Sequence, residues 1–119
     1  MPLDPDDVAA LIPLPPATFH ILLALLDQDR HGYAIIQDVE ERTDGELRMS
    51  AGTLYRSVAR MVEQNLITEV TKRRAGEDDT RRRYYRLTAF GSAVARAEMK
   101  RLSDLVRSAR QRGLTPEAT

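Results

Sequence analysis

The sequence predicts a mainly α-helical fold with a small β component (α+β), in which three helices precede a two-stranded hairpin and one long helix follows it. Three observations predict this. Apolar residues recur at helical spacing before residue 64 and again after residue 88. Between those regions, "LITEVTKRR" and "RRRYYRLT" flank the turn "AGEDDT", two strand-like runs around a glycine-containing loop. Residues able to cap helices, Asp4, Ser50 and Thr88, stand at the starts of helical patterns.

Residues 1–16 hold five of the six prolines and read as an N-terminal arm. The arm can still form a short helix, with Asp4 as cap, Pro5 at the first helical position, and Val8, Leu11 and Ile12 on one side. The segment Ala17–Gln28, "ATFHILLALLDQ", is apolar on most sides and so is expected at the centre. Gly32–Arg42 places Tyr33, Ile36, Val39 and more loosely Ile35 inward. After the turn "TDGELRMS", Ser50 caps a helix reaching about Glu63, with Leu54, Val58, Met61 and Val62 inward and Leu66 closing it.

The outward set of that helix, Thr53, Arg56, Ser57 and Arg60, contains no acid, whereas an idle solvated helix face normally mixes signs. The hairpin follows, alternating Tyr85 and Leu87 against Tyr84 and Arg86. Thr88 then caps the last helix, Ala89 to about Arg112, where Ala95, Met99, Leu102, Val106 and Ala109 fall at heptad-like steps. Three helices, the second and third joined by a short turn, followed by a hairpin, are the parts of a winged helix-turn-helix. The expected organisation is an arm over 1–16, the winged domain over 17–88, a dimerisation helix over 89–113 and a flexible tail over 114–119.

The formal net charge is zero, but it is unevenly distributed. Residues 1–50 carry ten acids against three bases, a net of −7, and residues 51–119 carry fifteen bases against eight acids, a net of +7. Sixteen of the eighteen cations are arginine, the side chain suited to bidentate contact with phosphate or guanine, so the split points to a polyanionic partner. A dipolar chain that pairs with itself is the alternative. With no cysteine there is neither a disulfide nor a thiolate metal site, and a reducing compartment is natural. The acidic start lacks the basic region of a secretory signal, and the longest aliphatic run is too short for a membrane span. A cytoplasmic protein without membrane contact is expected.

At these residues the chain resembles the PadR family of bacterial transcriptional regulators. The matching pieces are "HGYAIIQDVEERT" (His31–Thr43), "LRMSAGTLYRSVARMVEQNLI" (Leu47–Ile67) and "RRRYYRLTAFG" (Arg81–Gly91), in the family's order and spacing. The resemblance implies a homodimeric winged-helix repressor whose C-terminal helix forms much of the dimer interface; the single short helix is similar to the compact branch. Many members carry proline where this chain has Arg56, and glycine where it has Asn65, a residue that tolerates the left-handed conformation. Tryptophan, which lines the drug-binding pore of some relatives, is absent, so a flat aromatic drug ligand is not expected.

The DNA-contacting residues expected on the third core helix are Ser50, Gly52, Thr53, Tyr55, Arg56, Ser57 and Arg60. Small residues near its start let the backbone approach phosphates, and Arg56 can grip guanine O6 and N7. Tyr55 has a second reading, packing against the preceding helix. In the wing, Lys72, Arg73, Arg74, Arg81, Arg82, Arg83 and Arg86 face Glu77, Asp78 and Asp79 in sequence. The first six are expected at DNA, with two or three per subunit reaching phosphates or the minor groove. A self-neutralising surface hairpin is the alternative.

Ala95, Met99, Leu102, Val106 and Ala109 are the expected dimer seam, with a stripe folded back on its own domain as the other reading. The arm's Val8, Leu11 and Ile12 are expected to add burial across the partner. His20 and His31 lie eleven residues apart without carboxylates at ligand spacing, so no metal, cofactor or catalytic residue is expected. His20 reads as a packed residue and His31 as a cap. The function expected is a homodimeric, sequence-specific repressor on a palindromic operator in double-stranded DNA, released by a small-molecule effector or signal. The alternative is a protein-interaction module that kept the winged scaffold without reading DNA.

Overall fold

The structure is a computed structural model; it describes residues 3–73 and 81–117, with the backbone alone for Arg73, Arg81 and Arg82. In chain order it has α1 (Pro5–Ala9), α2 (Pro16–Ala24), β1 (Arg30–His31), α3 (Gly32–Arg42), α4 (Ala51–Glu63), β2 (Ile67–Arg73), β3 (Arg81–Leu87) and α5 (Ala89–Gln111). Side-chain caps set four of the helix starts. Asp4, His31, Ser50 and Thr88 each accept a backbone N–H from the first turn, of Asp6, Ala34, Thr53 and Gly91. The short arm helix, with Asp4 as cap and Pro5 first, therefore forms as its residues suggest.

The expected two-stranded hairpin is part of a three-stranded antiparallel sheet in the order β1-β3-β2. β2 and β3 pair from Ile67↔Leu87 out to Arg73↔Arg81, and Arg30 and His31 add themselves opposite Tyr85 and Tyr84. Two residues carry no alternating pattern, so this edge strand left no sequence signal. It forms because the chain leaving α2 runs alongside β3. The same detour ends α2 at Ala24 instead of Gln28: the Arg30 guanidinium donates to the Ala24 carbonyl at 2.7 Å, supplying a partner that further helix would have provided.

The core is one cluster drawn from every helix after α1 and from the sheet base, with Ile21, Leu22, Ile35, Val39, Leu54, Met61, Leu66, Ile67 and Val94 almost fully enclosed. Two residues expected inward face solvent. Tyr33 is 63% exposed because α3 buries Ile35 and Val39, and two helical steps, about 200°, separate Tyr33 from Ile35. Val62, 37% exposed, lies at the edge of the stripe that Leu54, Val58 and Met61 already complete.

Two tight passages orient the reading elements. Between α3 and α4 the chain turns through Asp44 and Gly45, both at positive φ, and the Gly45 N–H donates to the Glu40 carbonyl at 2.8 Å. After α4, Asn65 takes φ 62°, the left-handed geometry foreseen for it. Its neighbour Leu66 then meets α5: a Cβ on Gly91 would lie 1.9 Å from the Leu66 carbonyl oxygen, so only glycine fits there.

The arm is held by its own chain. Val8, Leu11 and Ile12 are half-buried against the core cluster of their own chain, and α1 lies against α5. No described helix is long and apolar enough to cross a membrane.

Candidate nucleic-acid interface

Helix α4 presents Ser50, Gly52, Thr53, Tyr55, Arg56, Ser57 and Arg60 at the surface, because Leu54, Val58 and Met61 take its inward positions. Ser50 organises the first turn: its hydroxyl accepts the Thr53 N–H and donates to Thr53 Oγ1, both at 3.1 Å. Arg56 leans on the same oxygen through Nη2 at 3.4 Å. Among the described residues, neither Arg56 nor Arg60 has a carboxylate partner. A helix face carrying two uncompensated guanidiniums favours a polyanion.

Tyr55 answers both of its readings. It is 50% exposed, yet its hydroxyl lies over the start of α3, where a Cβ on Gly32 would come within 2.7 Å of it. Around that contact is an open hollow of about 440 Å³ lined by His31, Gly32, Tyr33, Tyr55 and Arg83. On the other flank of α4 a hollow of about 570 Å³ separates Leu11, Leu14 and Pro15 of the arm from Arg56, Ser57 and Arg60.

The wing differs from expectation in one respect. Lys72 is turned onto a carboxylate: its Nζ lies 2.8 Å from Asp29 and 5.2 Å from the centroid of the Tyr84 ring. Arg86 grips the same Asp29 through Nε and Nη2, the shortest distance being 2.8 Å. These two bonds, Arg86 first, push the Asp29 carboxyl down to about 2. Lys72, an expected DNA cation, is thus held by an acid of its own chain. Arg83 remains largely exposed, with only a 3.5 Å approach to Glu69. The side chains of Arg73, Arg81 and Arg82, and all of Arg74, Glu77, Asp78 and Asp79, lie outside the described residues.

On α5, Met99, Leu102 and Val106 are exposed and Ala109 half-buried, while Ala95 is 6% exposed and belongs to the core of its own chain. Ala95 forms the floor of a groove of about 250 Å³ whose walls include Phe19, Leu23, Leu26 and Met99. Leu105, absent from the expected stripe, is 55% exposed beside it.

Three residues with evident roles escaped sequence reasoning. Asp29 gave only one of two acids in "DQDRHG", with nothing to set it apart from Asp27. Tyr33 was assigned inward. Glu98, inside the heptad-like stripe, is 2% exposed; it accepts the Leu14 N–H at 3.0 Å and is held by Arg101 at 2.6 Å. The Arg101 guanidinium and the Leu14 amide outweigh burial and keep its carboxyl below the ordinary glutamate range. His31 caps α3 and stacks edge-on to Tyr84 at 5.5 Å. His20 is half-buried, and desolvation with the nearby Arg42 lowers its pKa. Among the described residues no group of histidines and acids could hold a metal ion.

The fold and sequence of the chain are similar to those of known proteins. The model of the "Transcriptional regulator PadR-like family" matches residues 21–97. An uncharacterized protein of Lysinibacillus sphaericus is 33% identical over 93 residues, covering 71% of this chain and 82% of its own. The crystal structure of a PadR family transcription regulator from Clostridium difficile superposes with a TM-score of 0.69 at 25% identity, over 82% of this chain and 97% of that one. Bacillus subtilis PadR in complex with operator DNA shares the fold at a TM-score of 0.62 and 18% identity, over 71% of this chain and 48% of that one.

Proposed function

Because the chain belongs to the PadR-like family of transcriptional regulators, we propose that it is a homodimeric repressor that reads a palindromic operator in double-stranded DNA. Helix α4 enters the major groove. Arg56 takes a guanine edge, Thr53 and Ser57 serve as adaptable donors and acceptors, and Arg60 takes a phosphate. The wing follows the adjoining backbone with Arg83 and with the cations near its tip, Arg73, Arg74, Arg81 and Arg82. The observation that carries the reading is the pair Arg56 and Arg60, exposed on one helix face without a carboxylate among the described residues. The operator-bound Bacillus subtilis PadR of the same fold supports it.

The second subunit supplies what one module lacks. Two readers one helical turn apart, about 34 Å, match a two-fold operator, and a single small module buries little DNA surface. The exposed Met99, Leu102 and Val106 of α5, with the Ala95-floored groove, form the seam. Release follows when an effector or signal favours a dimer arrangement whose readers no longer fit one duplex. The site of action is the cytoplasm.

Mobility-shift titration against the DNA upstream of its own gene tests the reading. The expected outcome is a discrete complex that survives excess random duplex. With 6–10 phosphates neutralised, affinity falls by about 10³–10⁵ between 50 and 200 mM salt. Absence of any preference over random duplex, or a salt-insensitive complex, refutes it.

A further inference from the structure

We propose that Tyr33, Tyr55 and Arg83 form a phosphate clamp, the place where one backbone phosphate of the duplex is held beside the reading helix, with Gly32 as the residue that positions it. The inference rests on the DNA-binding reading and adds to it a residue, Tyr33, that its position in the apolar pattern conceals.

Four observations carry it. Tyr33 is 63% exposed although α3 has its inward positions filled by Ile35 and Val39, so the ring is not a core residue displaced. The hydroxyls of Tyr33 and Tyr55 have no hydrogen-bond partner among the described residues. The two rings share one hollow of about 440 Å³ with the exposed Arg83, and among the described residues no carboxylate lines it. Tyr55 reaches this hollow by crossing Gly32, whose missing side chain leaves its hydroxyl room.

The chemistry selects the ligand. Two phenolic O–H donors and one guanidinium line this hollow on the Tyr55 flank of α4, and each can donate to an oxygen acceptor. A phosphate presents two free oxygens and a full negative charge, which a guanidinium can bind in bidentate fashion. The weak 3.5 Å approach of Arg83 to Glu69, solvent-exposed on both sides, yields readily to such a ligand. Base edges lie deeper in the groove and are left to Arg56.

Fluorescence anisotropy with two labelled mixed-sequence duplexes of different base composition tests the clamp without knowledge of the operator. Tyr33→Phe should bind both about three- to tenfold more weakly, by the same factor on each, with an unchanged salt slope because no charge is lost. Arg83→Ala should lower the salt slope by about one. Gly32→Ala should weaken binding to both duplexes, because its methyl group would crowd the Tyr55 hydroxyl and ring and displace them from the hollow. Thermal melting of Tyr33→Phe should match the parent, which excludes a folding effect.

Parent-like binding by Tyr33→Phe, alongside a loss in Arg56→Ala, overturns the clamp and leaves the DNA reading standing. A loss confined to one duplex means a base contact and also overturns it. If the parent protein binds neither duplex, the clamp and the wider reading fall together.

Discussion

Glu98 of α5 accepts the backbone N–H of Leu14 at 3.0 Å, so one buried carboxylate ties the last helix to the end of the arm, 84 residues earlier in sequence. The same carboxylate is bound by Arg101 through both of its oxygens. Leu14 in turn lines the hollow beside Arg56 and Arg60. This polar contact thereby joins helix α5 to the arm wall that stands beside the reading face.

Removing that acceptor should loosen the arm. Glu98→Ala leaves the Leu14 amide unsatisfied and is expected to lower stability by about 1–3 kcal/mol in denaturant melts. Glu98→Gln retains an acceptor for Leu14 and should lose less. Limited proteolysis within residues 3–14 should accelerate in the alanine variant; equal cleavage in all three proteins would show that the contact does not hold the arm.

The Asp29 ion pairs have a pH signature. The folded carboxyl sits at about 2, below the ordinary 3.8, so its contribution is fully present above pH 4 and lost as pH falls toward 2. Asp29→Asn should therefore flatten the fall of stability in that acid window, seen by thermal melting across a pH series. The substitution also frees Lys72 and Arg86. Under the proposed function, binding to random duplex should tighten and its salt slope steepen by up to about two.

The reading arginines should separate by role. Arg56→Ala is expected to cost about 1–3 kcal/mol at one operator position and to relax base preference there. Arg60→Ala should weaken all sequences alike and reduce the salt slope by about one. Selection of bound fragments from random pools reads the first outcome, and salt titration the second.

Gly91 admits no side chain. Gly91→Ala drives a methyl group into the Leu66 carbonyl, 1.9 Å from the ideal Cβ position, and backbone cannot swing aside as a side chain would. The junction of α4, β2 and α5 must open, at an expected cost of about 3 kcal/mol. Chemical denaturation measures it. Gly52→Ala, in α4 with its nearest atom 3.6 Å from the ideal Cβ position, should cost far less and serves as the comparison.

The α5 seam is checked by charge. Met99→Asp and Val106→Asp, both at exposed positions, should leave the fold of one chain intact and shift sedimentation toward the monomer. DNA affinity should fall with the loss of paired readers. A chain that sediments as a monomer before any substitution would remove the dimer from the proposal.

The sequence by itself determined where the helices begin, because Asp4, His31, Ser50 and Thr88 act on backbone within three residues of themselves. It also determined the hairpin and the acid-free face of α4, both consequences of local period and turn chemistry. Tertiary structure alone decided which charges stay available. Arg56 and Arg60 remain without acidic partners among the described residues, whereas Lys72 and Arg86 are claimed by Asp29, which reaches them only because β1 lies against β3. It likewise placed Tyr33 outside and Glu98 inside. Helical period ranks the positions of one element relative to each other, but the packed neighbour chooses which arc of that element is buried, and that choice is made between segments far apart in the chain.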